Sequence, residues 1–129
     1  MTPGLALLFW ALAAFELKHF LCDFVLQTAY QYRNKGRYGH PGGLVHAGLH
    51  VIGSFPVTLI LTTSPELIAL VLAAEFVVHY HMDWFKEKIN KWRALKPDSA
   101  LYWMVFGADQ LVHQLTYVAM LAMLARTSF

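Results

Sequence analysis

Long apolar runs alternate with short polar ones along this chain. The first run covers about residues 4–26, the second 44–63 and the fourth 100–125, while the third starts at Glu66. Each approaches the ~20 residues that carry a helix through a hydrocarbon core of ~30 Å. No run alternates with period 2, and backbone in lipid must satisfy its own hydrogen bonds within a helix or a closed barrel, so helices are predicted. Past Phe85 the third run turns amphipathic, with Ile89, Trp92 and Leu95 set among lysines. A helix over 66–95 is therefore predicted, its last turns lying along an anionic membrane surface. The punctuation agrees. His40-Pro41-Gly42-Gly43 closes a polar loop before the second helix, Ser64-Pro65 caps and starts the third, and Asp98 or Ser99 caps the fourth. The predicted fold is all-α: one polytopic membrane domain over 1–129, with four transmembrane helices in an up-down bundle.

Composition favours lipid over water as the solvent of that bundle. Apolar residues make up 57% of the 129 and charged residues 14%, against ~45–50% on a nearly matching residue set and ~25% in an average soluble domain. So short a soluble bundle has too much surface to hide that much hydrocarbon. The formal net charge of +2 implies no general affinity for nucleic acid. Cys22 is the only cysteine, which excludes an intramolecular disulfide and a cysteine-rich metal cluster. The first run lacks a basic segment before it and carries Glu16, Lys18 and His19, so it is expected to belong to the fold rather than to a cleaved signal peptide. Basic residues collect in two places, Arg33, Lys35 and Arg37 after the first run and Lys86, Lys88, Lys91, Arg93 and Lys96 after the third, with only Arg126 on the other side. The positive-inside rule then puts both long loops in the cytoplasm and both termini outside.

Ionisable residues inside membrane helices are costly, and they mark sites of function by default. Here every predicted helix carries them at helical spacing: Glu16, His19, Asp23 and Gln27; His46 and His50; Glu75, His79, Asp83 and Lys86; Asp109 and His113, with Tyr102, Thr116 and Tyr117 on the same stripe. They occupy the C-terminal halves of helices one and three and the N-terminal halves of two and four, which an up-down bundle brings together in one leaflet, beside the basic loops. A polar core near the cytoplasmic face is predicted. His19, Asp23, His46, His50, His79, Asp83, Asp109 and His113 are candidate metal ligands, since His-x-x-x-His and His-x-x-x-Asp place two donors on one helix face a turn apart. Mixed nitrogen and oxygen donors suit Zn, Mn or Fe, as one ion or two. Gln27 and Gln110 would hydrogen-bond the ligands from behind. A purely structural network of buried pairs is the competing reading for any single pair. His81 is expected at a helix interface, His40 in a solvated loop, and Cys22 as a buried thiol.

The ordered set His19-Phe20-Leu21-Cys22-Asp23-Phe24-Val25-Leu26-Gln27, then Lys35, His46 and His50, then His79-x-x-x-Asp83-x-x-Lys86, then Asp109-Gln110-x-x-His113, resembles an uncharacterised family. It is the DUF3307 family of small bacterial and phage-associated membrane proteins. The resemblance covers nearly the whole chain. It implies a polytopic protein of the bacterial inner membrane with these polar positions as its signature, and it supplies no activity.

The expected function is metal-dependent hydrolysis of a lipid-linked or amphipathic substrate, such as a phosphoester, at the cytoplasmic face. Glu75 would act as general base, and Lys35, Arg37 and Lys86 would hold an anionic head group. The expected partners are the bilayer, such a substrate and, left open, further copies of the chain. The alternatives are a proton or metal-ion transporter or channel subunit, a non-enzymatic accessory protein, and a haem held by two histidines.

Overall fold

The computed structural model describes residues 2–128, and the side chains of all of these except 3, 127 and 128. Helix α1 (Pro3–Phe20) starts where the Thr2 hydroxyl accepts the Leu5 N–H. It passes directly into a π turn (Leu21–Val25), closed by the Leu26 N–H donating to the Leu21 carbonyl at 2.8 Å. Helices α2 (Ala29–Asn34), α3 (Pro41–Leu61), α4 (Pro65–Trp92) and α5 (Ala100–Ser128) follow.

Three boundaries depart from expectation. The first polar loop contains α2, which Thr28 and Gln31 hold in a reciprocal capping box. Helix α3 begins at Pro41 rather than Leu44, because proline's fixed φ suits a first helical position and His40 caps it through Nδ1, accepting from the Gly42 N–H at 3.0 Å. His40 is thus a half-buried cap, not a solvated loop residue. Helix α4 ends at Trp92 rather than at 95, as Ala94 takes a left-handed φ of 50° that no helix continues through.

Three helical stretches are long and apolar enough to cross a membrane: Gly4–Val25, Pro41–Leu61 and Pro65–Trp92. Among the described residues these are three of the four expected spans, and α5 does not meet this criterion. Helix α5 has 29 residues, but Asp109, Gln110, His113 and Gln114 dilute its apolar character. All described elements are helical, and the described part of the chain is inside-out relative to a soluble protein. Buried positions hold Lys18, Lys35, Lys86, Glu75, three aspartates and five histidines, while Trp10, Ile52, Ile60 and Met104 are each at least two-thirds exposed.

Two layers divide the interior. An apolar layer joins Ala11 and Phe15 of α1, Val57 and Leu61 of α3, Val71 of α4, and Tyr117, Met120, Leu121 and Leu124 of α5. Phe15 stacks on Tyr117 with ring centroids 5.4 Å apart. The opposite halves of the same four helices meet in the polar layer. Helix α2 is drawn against the first turn of α3 because Gly42 and Gly43 present no side chain. A Cβ on Gly43 would lie 3.3 Å from Lys35 Cα, and one on Gly42 3.0 Å from the Tyr30 carbonyl. That approach carries Lys35 into the interior.

Candidate metal centre

The π turn reshapes the end of α1. The inward face of that helix runs through Ala11, Phe15, Lys18, His19 and Cys22, so Glu16 falls off it and is only half-buried. This corrects the predicted stripe: Lys18 occupies the interior instead. The extra residue in the wider turn then rotates Asp23 back inward, an arrangement frequent at functional sites. Gln27 fixes the turn, its amide donating to the Asp23 carbonyl at 2.7 Å.

Around Asp23 the imidazoles converge. Its Oδ1 lies 3.0 Å from His46 Nε2, 3.0 Å from His50 Nε2 and 4.0 Å from His79 Nε2. His46 and His79 bring their Nε2 atoms within 3.3 Å of each other. Two donors ~2.0–2.1 Å from a common tetrahedral ion stand ~3.3–3.4 Å apart; for a six-coordinate ion at that distance, neighbouring donors stand about 3.0 Å apart. The observed spacings bracket both values. Asp23, His46, His50 and His79 form one group able to hold a metal, and His79, Asp83 and His113 form a second that shares His79. All six side chains are buried.

Asp83 is the hub of the second group. Its Oδ2 lies 3.1 Å from His46 Nε2 and 3.4 Å from His79 Nε2, while its Oδ1 accepts from Lys35 and Lys86, each at 3.2 Å. Lys86 also donates to Asp109 Oδ2 at 3.0 Å. Five buried atoms here lack a hydrogen bond: His46 Nδ1, Asp83 Oδ2, Asp109 Oδ1, His113 Nε2 and Glu75 Oε2. Asp109 Oδ1 and His113 Nε2 stand 3.3 Å apart and still do not align. Unpaired buried polar atoms are rare and costly. Donor atoms crowded together but misaligned with one another suit a shared cation better than a hydrogen-bonded core.

The remaining predicted residues take other places. His19 lies outside both groups because its nitrogens are occupied, Nδ1 at 3.0 Å from the Tyr117 hydroxyl and Nε2 at 2.9 Å from Gln110 Oε1. Gln110 in turn donates to Asp23 Oδ2 and Asp109 Oδ2. Asp109 also lies outside both groups, held by Lys86. Lys35 and Lys86 are buried in pairs with Asp83, whereas Arg37 is exposed and apart from the cluster. His81 is exposed, with Nε2 3.1 Å from the Tyr38 hydroxyl. Cys22 is buried as expected.

Sequence reasoning passed over Lys18 and Ser54. The Lys18 ammonium donates to Glu75 Oε1 at 2.6 Å and to the Tyr117 hydroxyl at 2.9 Å, and the Ser54 hydroxyl donates to the same Glu75 oxygen at 2.9 Å. A charge in mid-run was the available signal for Lys18. Gly53 makes its room: a Cβ there would come within 2.5 Å of Lys18 Cγ.

No curated protein and no solved structure matches the chain. One family model does match, over residues 11–129, and it takes in every residue of the cluster. The chain belongs to this family, the proteins of unknown function DUF3307.

Proposed function

We propose that the protein is a metal-dependent hydrolase of a lipid-linked or amphipathic phosphoester, working from within a membrane. The observation that carries this reading is the pair of overlapping donor groups, Asp23, His46, His50 and His79 with His79, Asp83 and His113. Zn, Mn or Fe, one ion or two, fits their mixed nitrogen and oxygen donors. Asp109, with its unpaired Oδ1, would complete the second position. Such an ion, when bound, lowers the pKa of a coordinated water to ~7.

The chain supplies the rest. Glu75 is the proposed general base: its Oε1 is anchored by Lys18 and Ser54, while its buried Oε2 has no partner, and the residue lines a narrow gap together with His79 and His113. His19, Gln110 and Tyr117 hold Asp23 and the histidines in place. In the proposed topology α5 is the fourth span, the basic loops face the cytoplasm of a bacterial inner membrane, and both termini lie outside. The apolar layer around Phe15, Leu61 and Leu124 fills the other half of the bundle, which favours hydrolysis over an ion path.

The test is phosphate release from a long-chain phosphate ester by the purified full chain in nanodiscs, with and without chelator. The expected result is turnover that chelator abolishes and metal restores. Glu75→Gln should remove turnover while metal content stays unchanged; if metal is lost as well, Glu75 is a ligand. A metal-loaded protein that moves ions across sealed vesicles and releases no product would contradict the reading.

A further inference from the structure

Beside the donor groups lies an open cavity of about 350 Å³. Asp23, Gln110, Lys35 and Lys86 line its polar end, and Phe24 and Phe106 are among the aromatic residues on its wall. Its size falls at the small end of the ~300–1,000 Å³ usual for ligand sites. Lys35 and Lys86 are both nine-tenths or more buried. Among the described residues the Lys35 ammonium donates only to Asp83, and an ammonium has three N–H donors. At least one N–H of each lysine is thus free of the protein contacts described above. Asp23, Asp83, Asp109 and Glu87, which also lines the cavity, against Lys35 and Lys86 formally leave two negative charges unmatched, and a bound divalent ion would cancel them. The filled site then no longer repels an anion, and the free N–H groups of the two lysines are left to hold one.

One wall of the cavity is thin. The π turn has backbone neighbours in α1 and α3 and, among the described residues, none in α5. Only side chains span that gap: Phe24 meets Phe106 with centroids 6.4 Å apart, and Gln110 reaches Asp23 at 3.3 Å. An aromatic row continues outward from this point, Phe20 to Phe24 at 5.8 Å and Phe106 to Trp103 at 6.0 Å. Phe20, Phe24 and Trp103 are each more than half exposed, at 53%, 56% and 56%. The row leads from the buried ammoniums to the outside of the bundle, where a bilayer would lie.

Resting on the hydrolase reading, we infer that this cavity binds the phosphate head of a single long-chain lipid phosphate, whose tail leaves sideways between the π turn and α5. Lys35 and Lys86 hold the phosphate oxygens, and the Phe24–Phe106 pair straddles the first carbons of the tail. In the hydrolysis that follows, a water oxygen bonds to phosphorus as the phosphorus–oxygen bond to the lipid breaks. One water proton goes to the lipid oxygen and the other stays with the phosphate, giving a lipid alcohol and inorganic phosphate. A substrate held this way reaches the site within the leaflet.

Binding is tested with the full chain in phosphatidylcholine nanodiscs, titrated with dodecyl phosphate and read by phosphorus NMR, with dodecanol and inorganic phosphate as competitors. Saturable binding is expected, with Lys35→Gln weakening it about tenfold or more through loss of a charged hydrogen bond and Arg37→Gln leaving it unchanged. Each competitor should need about a hundredfold higher concentration to displace the probe. Displacement by either at equal concentration would overturn the inference, as would equal effects of the two variants. A dodecyl phosphate with a diazirine near its head needs no variant. It should label the peptides holding Phe24 and Phe106, and even labelling of all outer helix faces would overturn the inference. Phosphate release measured on the same samples separates the two readings. A metal-loaded chain that binds the probe and releases no phosphate leaves this site standing and the hydrolase refuted, whereas a metal-loaded chain that fails to bind the probe refutes this site alone.

Discussion

Lys18 and Glu75 show what a single buried charge costs and stabilises. Their side chains are 8% and 1% exposed and touch at 2.6 Å. Removing one partner of a buried pair strands the other, at a cost of about 3–5 kcal/mol, while removing both together costs far less. Lys18→Met should therefore destabilise the protein by about that amount, and Lys18→Met with Glu75→Gln by clearly less, as read by denaturant unfolding in detergent. Equal losses would show that the pair is not coupled. Gly53→Ala should behave like Lys18→Met, since the added methyl group would sit 2.5 Å from Lys18 Cγ. The Tyr117 hydroxyl serves three neighbours, accepting from Lys18 and meeting His19 Nδ1 at 3.0 Å and His50 Nδ1 at 3.5 Å. Tyr117→Phe keeps the ring stacked on Phe15 and removes only those bonds. It should weaken metal affinity by about 10–100-fold, the usual effect of losing an outer partner of a ligand set. Unchanged affinity would place the ligand set beyond its influence.

At the level of the elements, the paired spacings told most of the story in advance. His46 with His50, His79 with Asp83 and Asp109 with His113 are each one turn apart on a helix, so any packing that buries one member buries the other. The structure does bury all six. What spacing could not convey was the π turn. A straight α-helix through Leu21–Val25 would share its inward face differently between Glu16 and Lys18, and no local residue announces the insertion. Helix α2, by contrast, was legible in Thr28-x-x-Gln31, a capping signature overshadowed by the surrounding basic residues. Its consequence is testable. Thr28→Ala should cost about 1 kcal/mol and speed amide exchange across Ala29–Asn34, with metal content unchanged. Exchange that does not change would mean that packing on Gly42 and Gly43 alone holds the helix. Lys35, the C-cap of α2, would then owe its inward position to the glycines.

For the whole molecule, the decisive arrangement is polar matter inside one half of the bundle, apolar matter inside the other, and large apolar side chains outside both. Three stretches meet the length and apolarity of a span; α5 is proposed as the fourth because its His113 and Asp109 join the same cluster from a helix of 29 residues. Cys22 is the only cysteine, so a Cys22→Ser background permits topology mapping. New cysteines at Arg37 and Lys96 should react with an impermeant reagent from the cytoplasmic side only, and one at Thr63 from the other side only. Labelling of Arg126 and Lys96 positions from the same side would mean that α5 does not cross. The account as a whole stands on donors from four helices meeting around a cation. Its most direct test is elemental analysis of the full chain, purified without added metal and compared with His46→Ala/His50→Ala. About one or two equivalents of a transition metal in the first and loss of at least one in the second is the predicted result. A folded wild-type chain that carries no metal, and takes up none when Zn, Mn or Fe is supplied, would contradict it.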